Sequence, residues 1–529
     1  MSQDPTPRVP VAVIGAGPVG LTVALELAHQ GVRSVLIDRA ASPTQFPKMD
    51  VTNGRSMELF RRWGLAARLR AAGVPPAHNF DVIWTRDFNQ PPVAVWHQPS
   101  AQEQTERLRS LSDGSGPLEA DMRMPQYTFE ALVREQCRAH PLIDFREGCA
   151  FDALAQDQQG VSVQVSGGPE AVIRAAYAVG CDGAGSAVRR LLGIALEGEA
   201  LPRAVMFHFK SRDHETLHRH GRFWHVYAPG VAVIAQDEVD TWTAHFTWPP
   251  GVEPDTDATL PDLLQQRLGV AVKIDEILLH TVWQPRMMLA QQYGLGRVFL
   301  AGDAVHQVFP TGGYGMNTGI GDAVDIGWKL AAVIKGWAGS ALLQSYEAER
   351  RPVAATNRDY AGRHLGVLIE FQRQLAEGVP CADVARFVQT HTGENTSDGV
   401  EFGYRYTHSP VVCHEAGVET VWEAERYVPG TWPGGRAPSL FRADGSALFD
   451  HLGPGFTLVD FSGSGAQLVS MAQTLGMPLH HLHVSEPQIR QAWERDLVLV
   501  RPDQHVAWRG HTPPEPQAWR RILDRVRGA

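Results

Sequence analysis

"VAVIGAGPVGLTVALELA", residues 11 to 28, passes from a β-branched apolar run through three glycines into a second apolar run with helical spacing. These residue types predict a strand, a tight turn and a helix. Gly15 permits the sharp turn, Gly17 lets the backbone approach a pyrophosphate, and Gly20 lets helix and strand pack closely. The helix N-terminus then offers free N–H groups to phosphates. A second strand, "SVLID", ends at Asp38, whose carboxylate can accept a hydrogen bond from a ribose hydroxyl; Arg39, next in the chain, is assigned to the same ligand. The unit reads as a dinucleotide site, and NAD and FAD share its geometry.

A related pattern returns far along the chain. "AGDAVHQVFPTGGYGMNTGIGDAVDIGWKLA", residues 301 to 331, is a strand end, a glycine-rich loop and a helix expected to start near Asn317. Asp303 closes the strand "RVFLAGD", where a carboxylate can meet ribityl hydroxyls. Pro310, Gly312, Gly313 and Gly315 then let backbone lie against a flat ring, and the positive end of the helix points toward the charge of a reduced flavin pyrimidine. One dinucleotide can thus be held at both ends.

The length of 529 residues exceeds a single core and implies two or three domains. With 43% hydrophobic and 20% charged residues, the composition is that of a folded globular protein. The net charge of −10, with basic residues scattered in short pairs, disfavours nucleic acid as a partner. Five cysteines without a CxxC fit a reducing cytoplasm. The apolar run Val9 to Leu25 is broken by Pro10, three glycines and Pro18, so no membrane insertion is expected.

Together with "AYAVGCDGAGSAVRRLLG" at residues 176 to 193, the two loops form three ordered motifs that resemble single-component, FAD-dependent aromatic hydroxylases, closest to those acting on phenols and aromatic polyketides. The resemblance implies an α/β fold: a Rossmann-like FAD-binding domain (residues 1–80, 105–195 and 282–400), an inserted β-sheet substrate domain (81–104 and 196–281) and a C-terminal thioredoxin-like domain (425–529). Asp182 in "DGAGS" is by resemblance near the cofactor and linked to NAD(P)H handling; Arg55 in "NGRSMELFRRWGL", and Arg123 and Gln126 in "RMPQYTFEAL", sit beside the pyrophosphate or ribityl chain. From the residues alone, Asp182 is equally a helix cap and Arg55 a solvated helix-start residue. The activity implied is hydroxylation of a phenolic ring ortho or para to its hydroxyl through a flavin C4a-hydroperoxide, with O2 and NADH or NADPH as transient co-substrates. A flavin dehydrogenase or reductase without oxygen insertion, and a non-catalytic flavin-binding protein, are the alternatives. A homodimer is compatible with the sequence.

Residues 203 to 248 alternate as strands, with aromatics at alternate positions that can line a flat pocket or pack on the cofactor domain. His225 and Tyr227 are the candidates for removing the phenol proton, with His245 a further polar handle. "HETLHRHG" at residues 214 to 221 matches HExxH formally, but polar, Gly-broken flanks predict a turn between strands and no metal. In the C-terminal domain there is no cysteine after Cys413, so a redox role is excluded, and "FTLVDFSGSGAQL" lacks the last glycine and the acidic partner of a second nucleotide site.

Overall fold

The computed structural model describes residues 9–248, 252, 259–419 and 421–529. Its central sheet is parallel through five strands, in the order 298–300, 172–180, 9–14, 34–38 and 143–147. The inner strands 9–14, 34–38 and 298–300 are largely buried and read as nearly unbroken apolar runs, whereas the edge strand 143–147 is partly exposed and polar. Ile14 pairs with Gly180, and Gly180 with Leu300. That register brings the ends of three strands, and hence Gly15, Asp182 and Asp303, to one edge of the sheet, where open α/β sheets bind their ligands.

A seven-stranded sheet joins Val82–Trp84 and Ala94–Trp96 to five strands between Ala204 and Trp283. Its strands alternate. Phe207, Val226, Val233 and Ala244 face one way, into an apolar core that includes Leu264 and Leu268 of the helix Leu260–Leu268. The other face carries Tyr227, packed with Trp84 against Leu368 and Phe371 of the helix Ala341–Ala376. His225 and Tyr227, two residues apart on one strand, share this second face. "HETL" forms a single helical turn between strands.

The C-terminal domain has a four-stranded mixed sheet in the order 479–483, 456–460, 497–500, 506–510, with helices at Ala466–Thr474, Pro487–Trp493 and Pro516–Val526, the thioredoxin-like arrangement. In its "DFSGSG" loop the Asp460 carboxylate accepts from the amides of Ser462 (2.9 Å), Gly463 (2.8 Å) and Gly465 (2.7 Å). The N–H groups that a phosphate would need are already engaged.

Two local expectations are corrected. The late helix runs Tyr314–Ile334, beginning three residues before Asn317, because Gly313, at φ 65°, turns the chain directly into it. In "LLQSYEAERRPVAATNRDY" Glu347 and Arg351 have the i,i+4 spacing of an ion pair, which does not form: Glu347 accepts from the Tyr293 amide at 2.9 Å and Arg351 donates to the Ala290 carbonyl at 2.9 Å. Unpaired backbone at a neighbouring strand end outcompetes a solvated ion pair. No helix among the described residues is long and apolar enough to cross a membrane.

Candidate active site

The three early glycines differ in what surrounds them, and each difference matches a distinct task. Gly15 has φ 100°, and a Cβ there would lie 2.5 Å from the Cys181 carbonyl oxygen. Gly20 abuts the Gly15 carbonyl, leaving no room for a side chain. At Gly17 nothing lies within 4 Å of a Cβ position, so the open side of the turn belongs to a ligand. Asp38 fixes this turn: its Oδ2 accepts the Ala16 amide at 2.6 Å and its Oδ1 the Ala40 amide at 2.7 Å, with Arg134 at 3.4 Å. Arg39 is exposed beside it.

The early and late motifs meet at Val19. A Cβ on Gly302 would sit 2.7 Å from Val19 Cγ2, and one on Gly319 would lie 3.1 Å from the Gly302 Cα. Asp303 is reachable by solvent at the cleft floor, and no protein group among the described residues donates to its carboxylate. The protein packed around it raises its pKa, an effect opposed by His306 and Lys48. A carboxylate left without partners at this strand end suits ribityl hydroxyls. With the glycine cradle, it makes the cleft fit FAD.

The ring-facing turn, Thr311–Gly313, is held from several sides. Thr311 donates to the Ala361 carbonyl at 2.8 Å, the Gly312 amide to Glu394 Oε1 at 2.7 Å, and Tyr314 Oη lies 2.9 Å from His364 Nε2. Pro310 accepts from the Gly313 amide at 3.0 Å. Asn317 donates to Gly313 at 2.7 Å and to Val51 at 3.3 Å, and accepts from the Asn53 amide at 3.1 Å. Gly313 touches Val51, which brings Asp50 beside the turn. The half-buried Gly315 lies in the first turn of the late helix.

Asp50 joins this turn to the seven-stranded sheet. Its Oδ2 accepts Trp224 Nε1 at 2.6 Å and lies 3.4 Å from His225 Nε2, whose ring's other nitrogen is 3.2 Å from Tyr227 Oη. Burial opposes ionisation of Asp50, but His225, Trp224 and Arg123 outweigh it and hold its pKa below the ordinary value. Burial, with Glu394 and Asp50, pushes Tyr227 well above the usual phenol range. His245 is held down at about 4 by burial, with a smaller contribution from His225. Trp84 packs on Tyr227 at 4.7 Å and Trp224 on His225 at 4.2 Å, so aromatic walls enclose the polar chain.

Residues 8–361 match the family described as FAD binding domain, and residues 430–529 match the aromatic-ring hydroxylase C-terminal family. The chain belongs to the FAD-dependent aromatic-ring hydroxylases. It is 38% identical to the FAD-dependent monooxygenase apdD of Emericella nidulans over 98% of this chain and 90% of that protein. It is 30% identical to the tetracenomycin A2 monooxygenase-dioxygenase of Streptomyces glaucescens, covering 98% and 97%. Among solved structures it is similar to the flavin-dependent monooxygenase PieE in complex with FAD and substrate (TM-score 0.88, 27% identity, 99% of this chain and 100% of that one). The hydroxylase is an FAD-dependent monooxygenase whose co-substrate is NAD(P)H.

Within the hydroxylase, Asp50 and Glu394 link His225 and Tyr227 to the late loop in one candidate chamber, and Gly15, Gly17, Gly20, Asp38 and Asp303 lie along one edge of the sheet. Other sequence candidates are engaged by protein groups. Arg55 is buried, with its terminal nitrogens on Glu58 (3.0 Å), the Asp503 carbonyl (2.6 Å) and Gln504. Arg123 joins Glu238 (2.8 Å) and the Ala235 carbonyl (2.6 Å). Asp182 caps a helix, accepting from Ser186 Oγ (2.5 Å) and from the Ala187 (2.6 Å) and Val188 (3.1 Å) amides. Gln126 begins the helix Gln126–Ala139 and donates to Glu130 at 2.7 Å. Asp50 and Glu394 were not legible as site residues: both lie in irregular segments, "FPKMDVT" and "HTGENTSDG", whose spacing announces nothing.

Proposed function

We propose that the hydroxylase inserts one oxygen atom of O2 into the ring of a phenolic substrate, ortho or para to its hydroxyl, with NADH or NADPH as transient reductant. FAD bound between the two loops, once reduced, supplies the electrons that activate O2 for transfer to the ring. The protein's own work is to orient the phenol, exclude water and move its proton.

The chain from Asp50 through His225 to Tyr227, beside the ring-facing turn, is the observation that carries this reading. A substrate hydroxyl next to Tyr227 Oη passes its proton to that oxygen as Tyr227's own proton moves to His225 Nδ1. The carboxylate of Asp50 then stabilises the imidazolium through Nε2–H. Tyrosinate does not accumulate, in keeping with the raised pKa of Tyr227. The phenol becomes electron-rich as its proton leaves, which activates its ortho and para carbons. The test is to screen phenols for stimulated NAD(P)H oxidation under labelled O2. One labelled atom in the product supports hydroxylation. Stimulated oxidation with no label in the product would instead describe a dehydrogenase or reductase.

A further inference from the structure

Glu394 plays no part in the proton path above, yet its carboxylate reaches into the same chamber. It accepts the Gly312 amide at 2.7 Å from the turn Gly393–Asn395, which packs against Thr311–Gly313. Asp50 precedes Val51, whose side chain packs against Gly313, the next residue of the turn. Two carboxylates therefore bracket the ring-facing turn. Among the described residues no lysine or arginine pairs with Asp50, Glu394, His225, Tyr227 or His245. Arg123, whose charge reaches Asp50, is itself paired with Glu238, both side chains being 1% exposed. Burial raises the pKa of Glu394, while the Gly312 amide and His225 favour its ionised form, and that charge adds to the rise at Tyr227.

We infer that Glu394 is a specificity-determining residue that, together with Asp50, makes the chamber select uncharged aromatic rings and reject those bearing a carboxylate. The inference rests on the hydroxylation reading for the identity of the chamber. A ring carboxylate meets the Asp50 carboxylate, and that of Glu394 in its ionised form, with no free cation among the described residues to offset its desolvation. A carboxamide of the same shape meets no such repulsion, and its N–H groups can donate to Glu394.

The test is calorimetric binding to the FAD-loaded hydroxylase of 4-hydroxybenzamide and of 4-hydroxybenzoate, in the wild type and in Glu394→Gln. The amide oxygen of glutamine can still accept the Gly312 amide, so the turn is preserved while the charge is removed. The expected result is at least tenfold weaker binding of the carboxylate by the wild type, with that gap narrowing at least threefold in the variant. Equal binding of the two ligands, no binding of either, or a gap unchanged in Glu394→Gln would overturn the inference. NAD(P)H oxidation measured on the same samples separates the two claims. Charge-selective binding without stimulated oxidation leaves the selectivity standing and removes the hydroxylation reading.

Discussion

The cofactor cleft and the junction with the C-terminal domain use different stretches of the same late helix, and they treat polar groups in opposite ways. At its N-terminal end the helix faces open backbone, a carboxylate without a protein donor at Asp303, and empty space at Gly17. Further along, Asp325 and Lys329 meet Glu349, Arg501 and Asp503 in a fully buried charge cluster: Lys329 lies 2.6 Å from Asp325 and from Glu349, and Arg501 lies 2.7 Å from Glu349 and from Asp503. Openness marks the ligand side, and saturation marks the structural side. Arg55 is bound to Asp503 and Gln504, and we propose that it serves this junction.

The comparison is broken most forcefully by Arg501→Met. Removing one member of a buried ion cluster strands the others, and the expected loss is about 3–5 kcal/mol, read as a lowered midpoint in denaturant. Burial alone would raise Glu349, but Arg501 and Lys329 hold its carboxyl well below the ordinary range; Asp503 is likewise depressed against burial by Arg501 and His505. Stability from such groups is present above the unfolded carboxylate pKa, about 4, and is lost as pH falls toward the folded value. The wild type should therefore lose thermal stability between about pH 5 and 3 more steeply than Arg501→Met. Equal slopes would show that the cluster does not control acid stability.

On the cleft side, Gly17→Val should place a side chain where a phosphate belongs, lowering FAD affinity by at least about a hundredfold while leaving the apoprotein's melting temperature within a few degrees. Unchanged FAD binding would show that the open side of the turn is not the phosphate site. Within the chamber, Asp50→Asn and Tyr227→Phe should each lower kcat by roughly ten- to a hundredfold with the bound-flavin spectrum retained. Turnover unchanged across pH in both variants would eliminate the proton path. The smallest effect is expected at Arg55→Lys: FAD affinity within about threefold of wild type alongside a measurable loss of stability, since a lysine cannot reproduce the forked contacts to Glu58 and Asp503.

What could be read from the sequence followed the same divide. Gly15, Gly17 and Gly20 were legible because a backbone reversal, a close approach and a strand–helix contact each demand glycine at a fixed offset. Tyr227 and His225 were legible because a strand exposes every second residue to one face. Arg55 and Asp182 were read toward the cofactor by family resemblance; the protein contacts that the fold gives them, to Glu58, Asp503 and Gln504 for the one and to a helix start for the other, were not read. No local pattern separates a guanidinium that binds phosphate from one that reaches a distant backbone carbonyl and glutamine side chain. Asp50 and Glu394 come from irregular segments and acquire meaning only through Trp224, His225 and Gly312, which lie far from them in sequence.

The most direct test is a crystal structure of the FAD-loaded protein. The adenosine and pyrophosphate should lie along Gly15–Gly20, the ribityl chain near Asp303 and the ring against Gly312–Gly315, with Arg55 still joined to Glu58 and Asp503. A flavin that touches only one of the two loops, or Arg55 released onto the phosphates, would contradict the account.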